Sequence, residues 1–220
     1  GERGRKNTVK RLSEASIHYA GLIEHPQTVL TRDGVTYGFC AFAADKAAVN
    51  LNDYKTVRTI VAHLDAVVDI VIVSVHSGGE GTEHKHITRK KELFLGEDRG
   101  NPYEFARVAI DAGADIVLGH GPHVPRAVDL YRDRFIAYSL GNFATYRRFN
   151  LKGLSGLALI LKITVNREGE FRNARVYSAL QKGSGGPSPD PSRADWRAPG
   201  SGGREEASLL ADSLLRIPRG

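Results

Sequence analysis

Two apolar runs ending in polar, ligand-type residues organise this chain. Asp69-Ile70-Val71-Ile72-Val73-Ser74-Val75 leads into His76-Ser77-Gly78-Gly79-Glu80-Gly81, and Asp115-Ile116-Val117-Leu118 leads into Gly119-His120-Gly121-Pro122-His123. Unbroken apolar runs of this length predict strands covered on both faces, as in a parallel α/β sheet. The glycines that follow predict turns. Between the runs, Asn101-Pro102 predicts a helix start, and Phe105, Ala106, Val108, Ala109 and Ile110 give that helix a wide apolar face. Ala112-Gly113 predicts its end. The strand–helix–strand order from Ile70 to Val117 predicts a right-handed crossover unit.

The flanking pattern fills in the remaining elements. Thr8 to Ala15 predicts a short helix with Val9, Leu12 and Ala15 on one side. Thr28–Thr31 and Val35–Phe42 predict a hairpin across Arg32-Asp33-Gly34. Asp53 predicts the N-cap of a helix that runs to about Leu64, with Val57, Ile60, Val61 and Leu64 at helical spacing. Ala127–Tyr131 and Arg134–Ser139 predict a second hairpin, and the latter strand delivers Leu140-Gly141-Asn142-Phe143. Leu157–Val165 and Phe171–Leu180 predict a meander in a second sheet. Residues 1–180 are thus expected to form one α/β domain. Residues 181–203, rich in Gly, Ser and Pro, are expected to be a linker. In 204–220, Ala207, Leu210, Ala211, Leu214 and Leu215 predict an amphipathic helix, expected to dock on the core or else on a partner or membrane surface.

Composition narrows the function classes. A formal charge of +6 and a pI near 9.5 favour an acidic partner. Nucleic acid is disfavoured, because no binding motif accompanies the basic residues and aromatic residues are not interleaved with them. Cys40 is the sole cysteine, which excludes an intrachain disulfide. No run reaches the about 18 apolar residues that a membrane span needs, and no signal peptide is visible.

Candidate chemistry gathers where the strands end. In open α/β sheets, ligands bind outside the carboxyl ends of strands. His76, His120 and His123 lie there, and neutral imidazoles suit divalent transition metals. The polar stretch from Gly81 to Gly100 is expected to be a lid or substrate-facing segment. Within it, Arg99 is expected either to hold a phosphate or carboxylate with its fork or to pair with Glu97. His84 and His86 are read as solvated, His18 and His25 as surface or hydrogen-bonded, and His63 as structural.

The three blocks Asp69–Gly81, Gly96-Glu97-Asp98-Arg99-Gly100 and Gly113–Phe143 resemble the signature of the CapA/PgsA family of bacterial capsule and poly-γ-glutamate synthesis proteins. The resemblance implies a metallophosphatase-like layered α/β sandwich of mixed sheets flanked by helices, with the first strands missing from this chain. It also implies a hydrolase-like site for a phosphoester or polymer end. His76, Glu80 and His120 would be catalytic, and Arg99 and Asn142 would bind substrate. His76, His120 and His123 would hold a divalent transition metal, Zn, Mn or Fe. An envelope synthesis complex at the cell envelope would be the setting. The alternatives are a non-catalytic factor that binds or exports an anionic polymer, and a structural remnant without metal. Two departures stand out. The family's Gly-Asp strand end and Asn-His loop are not in this sequence, and the Gly-His-x-His of metallophosphatases is Gly-His-x-x-His at His120 and His123.

Overall fold

The computed structural model describes residues 1–145, 149–183 and 186–190 and the backbone of 196–199. The chain opens with α1 (Glu2–Glu14), which buries no side chain. It is longer than its apolar spacing predicts. Ion pairs one turn apart, Glu2–Lys6 at 2.6 Å and Lys10–Glu14 at 3.8 Å, support turns that carry no hydrophobic period. The strands β1 (Gln27–Arg32) and β2 (Val35–Ala43) form the expected hairpin. Its turn residues Asp33 and Gly34 adopt φ of +53° and +76°, the left-handed pair that Asp-Gly supplies.

Helix α2 (Tyr54–Asp65) starts where Asp53 accepts a hydrogen bond from the Thr56 amide at 3.1 Å. The strand β3 (Ile70–His76) is followed by a miniature hairpin of β4 (Leu93–Phe94) and β5 (Glu97–Asp98). Helix α3 (Pro102–Asp111) is capped by Asn101, which accepts from the Glu104 amide at 3.3 Å. Then come β6 (Ile116–His120), β7 (Val128–Tyr131), β8 (Arg134–Ala137), β9 (Leu157–Val165) and β10 (Phe171–Leu180). Two short strands, β11 (Ser188–Pro189) and β12 (Trp196–Pro199), pair with β10. They lie in the stretch expected to be a linker. Backbone pairing along an open strand needs no particular side chain, so Gly, Ser and Pro content does not reveal it. The predicted helix within 204–220 lies outside the described residues.

The main sheet runs β1-β2-β3-β6-β8-β7. Its four inner strands are mutually parallel, and its two edge strands are antiparallel to their neighbours. Period-two alternation splits its side chains between two cores. Val71, Val73 and Val75 of β3 and Val117 of β6 pack with Val57, Val61 and Leu64 of α2 and Phe105 and Ala109 of α3. Ile72, Ile116, Leu118 and Phe135 pack with Leu161, Ile163, Phe171 and Ala174 of the second sheet. The fold is therefore a mixed α/β architecture: a helix layer, a central mixed sheet and a smaller antiparallel sheet.

Candidate functional site

His76 and His120 are the last residues of β3 and β6, and the register pairs them directly. Both fall in the same alternation class as Ile72 and Ile116, so both project from the face opposite the helices. Adjacent strands are about 4.8 Å apart, which makes the two imidazoles neighbours at one sheet edge. Burial holds both below the ordinary histidine pKa. For His76 the Arg99 guanidinium and the neighbouring His123 ring push further in the same direction, opposed by Glu80 and Glu97. For His120 the neighbouring His76 adds to burial. Both rings are thus biased toward the neutral form.

The loop after β6 closes onto this pair. Gly121 has φ of +119°, and a Cβ there would lie 2.9 Å from the Ser77 carbonyl oxygen and 3.3 Å from His76 Nε2. Only a residue without a side chain lets the backbone come this close. The Ser77 amide donates to the His120 carbonyl at 2.8 Å and ties the two loops together.

His123 extends the site. Its Nε2 lies 3.6 Å from Glu80 Oε2, and its Nδ1 lies 2.8 Å from Asn142 Oδ1. Asn142 is buried and spends its Nδ2 on the carbonyls of His123 and Ser155. Glu80 Oε1 in turn meets Arg99 Nη2 at 3.3 Å, while Arg99 Nε meets Glu97 at 2.6 Å. Of the two roles left open for Arg99, ion pairing with Glu97 is the arrangement displayed.

Two residues that sequence reasoning did not single out hold the loop beneath Glu80. Arg126 and Glu92 are buried and paired through both guanidinium Nη atoms, at 3.2 and 2.8 Å. Glu92 Oε2 also accepts from the Gly79 amide at 2.8 Å. The amides of Gly78, Gly81 and Arg99 donate to the carbonyls of Arg99, Pro122 and Glu92. The stretch expected to be a lid is thus fastened at several points. His84, expected to be solvated, is only part-exposed and lies 3.9 Å from Glu92.

A metal ion needs several donors converging on one point. His76 and His120 offer two neutral nitrogens side by side, but among the described residues no three His, Cys, Asp or Glu side chains converge to hold an ion. His123, the third expected ligand, has its Nδ1 engaged by Asn142, and its Nε2 lies 3.6 Å from Glu80 Oε2. The described residues therefore do not fit a closed metal centre.

The sequence profile of the bacterial capsule synthesis protein PGA_cap matches residues 1–147. The chain belongs to this family. The capsule biosynthesis protein CapA of Bacillus anthracis is 33% identical over 162 residues, covering 65% of this chain and 36% of that protein. The PGA biosynthesis protein CapA of Bacillus subtilis (strain 168) is 37% identical over 75 residues, covering 34% of this chain and 16% of that protein. The chain thus spans about a third or less of the length of these capsule-synthesis relatives. Among solved structures, a putative 5'-nucleotidase from Staphylococcus aureus, in complex with alpha-ketoglutarate, aligns at 11% identity with a TM-score of 0.41, covering 90% of this chain and 36% of that one. A hypothetical protein from Thermus thermophilus aligns at 18% identity with a TM-score of 0.38, covering 79% of this chain and 62% of that one. Among the described residues of this capsule-synthesis family member, no helix is long and apolar enough to cross a membrane.

Proposed function

We propose that the chain acts in capsule synthesis at the cell envelope through a hydrolase-like site at the His76–His120 strand ends. Its substrate would be a phosphoester or the end of an anionic polymer such as poly-γ-glutamate. The observation that carries this reading is the in-register pairing of two imidazoles, both biased toward the neutral form, at the carboxyl ends of adjacent strands. A neutral imidazole within reach of a water or hydroxyl takes its proton as the oxygen attacks. His76 and His120 are the candidates for that role. Glu80, held by Arg99 and facing His123, supplies a fixed negative charge beside them. A divalent ion, if one takes part, requires a donor beyond those the described residues bring together.

The test uses a p-nitrophenyl phosphodiester and poly-γ-glutamate as separate substrates, each with and without added Zn2+ or Mn2+. Turnover by the wild-type chain that falls about 100-fold or more in His76→Ala and in His120→Ala supports the reading. No turnover in any arm removes it. The excess of 31 basic over 25 acidic residues favours a second reading, polymer binding without turnover. Salt-sensitive retention of poly-γ-glutamate by a chain that hydrolyses nothing would decide for it.

A further inference from the structure

The His123 ring is fixed by a buried amide whose own orientation the surrounding carbonyls dictate. We infer that Asn142 is a positioning residue that holds neutral His123 as its Nδ1–H tautomer and leaves Nε2 bare beside Glu80. One end of the Asn142 amide lies 3.1 Å from the His123 carbonyl oxygen and 2.9 Å from the Ser155 carbonyl oxygen. Both are acceptors only, so this end must be the two-donor Nδ2. The other end is therefore Oδ1, which accepts and cannot donate. It lies 2.8 Å from His123 Nδ1, so that nitrogen must carry the hydrogen.

In its neutral form the ring carries one N–H, so with Nδ1 protonated it is Nε2 that holds the lone pair. That nitrogen is 3.6 Å from Glu80 Oε2. Free histidine favours the opposite tautomer, with the hydrogen on Nε2, so the arrangement is imposed by the fold. Asn142 is 3% exposed, and water is not at hand to replace its partners. Losing the amide would leave the buried Ser155 carbonyl and the part-buried His123 carbonyl without this donor. The His123 backbone, at φ of +59°, and the Phe149 ring, 5.1 Å away between centroids and tilted by 56°, restrict the imidazole further. The hydrogen bond that one ring nitrogen makes sets what the other can do. Here it makes Nε2 of the neutral ring an acceptor beside Glu80, ready for a substrate hydroxyl, a water or an electrophilic ion.

The consequence for catalysis rests on the proposed reading of the strand-end site, but the tautomer is measurable without any activity. The experiment is long-range 1H–15N NMR of the 15N-labelled chain in metal-free buffer, at a pH where the imidazoles are neutral. The His123 signals are assigned by their loss in His123→Gln. The expected wild-type pattern is a protonated Nδ1 and a bare Nε2. In Asn142→Ala the hydrogen should move to Nε2 while the amide signals of β3 and β6 stay in place. A wild-type ring protonated on Nε2, or a folded Asn142→Ala with an unchanged tautomer, overturns the assignment. If Asn142→Ala does not fold, the wild-type spectrum decides alone. An Nδ1–H pattern in a chain that hydrolyses nothing leaves this assignment standing and removes only the proposed activity.

Discussion

Arg126 and Glu92 form a two-pronged ion pair with 0% and 3% of their side chains exposed. The pair joins the loop after β6 to the long segment after β3. Through the Gly79 amide, it also fixes the turn that carries Glu80. A Cβ on neighbouring Gly78, whose φ is +88°, would lie 2.8 Å from Arg126 Nη1, so the pair and the turn are built as one unit.

Removing one member would leave the other charge buried and unpaired. We expect Arg126→Met or Glu92→Leu alone to lower unfolding free energy by about 3–5 kcal/mol. The double variant Arg126→Met/Glu92→Leu should lose much less than the sum, because no uncompensated charge remains. Urea denaturation of the three variants checks this, and additive losses would refute the coupling.

His76 and His120 make stability depend on pH in a defined direction. Burial lowers both pKa values below the 6.5 of an ordinary histidine. Between the folded and unfolded values, the unfolded chain binds more protons. Stability therefore rises with pH through that window and is fully present above about pH 6.5. Urea midpoints in metal-free buffer should fall as pH is lowered from about 8 to about 5. The fall should be smaller in His76→Gln/His120→Gln. An equal fall in that variant would assign the dependence to other groups.

Cys40 lies on β2 in the helix-side core and is 1% exposed. Burial pushes its thiol up to about 12. The thiolate is the reactive form, so the native chain should resist Ellman's reagent at about pH 8. Labelling should appear only with denaturant, in step with unfolding. Rapid labelling of the native chain would contradict the packing around β2.

The parts of the fold legible in the sequence are those with a local cause. Asp33-Gly34 encodes its hairpin, Asp53 and Asn101 encode their helix starts, and the apolar runs before His76 and His120 encode the central strands. The strand-end histidines could be nominated because ligands gather there in α/β sheets. Their pairing could not, because it depends on which strands become neighbours and in what register. The Glu92–Arg126 pair joins residues 34 positions apart, and His123–Asn142 joins residues 19 apart. Neither follows a period or a motif. Glu92 sits among Lys90, Lys91 and Glu97, and nothing in that setting marks it as the carboxylate that will be buried.

Gly121 gives the most direct test of the strand-end geometry. Its φ of +119° is a conformation that residues with a side chain rarely adopt, and the space beside it is filled. A Cβ would press on the Ser77 carbonyl at 2.9 Å and on the His76 ring at 3.3 Å. The carbonyl belongs to backbone fixed by the Ser77–His120 hydrogen bond, so it cannot yield cheaply. Relief must come from the loop or from the His76 ring. Gly121→Ala should therefore destabilise the chain by about 1–3 kcal/mol and shift the His76 imidazole resonances more than those of distant His63 on α2. If the variant hydrolyses substrate at the wild-type rate while His76 has moved, His76 does not act where this geometry places it. If His76 has not moved and stability is unchanged, the close approach of Gly121 to His76 is itself wrong.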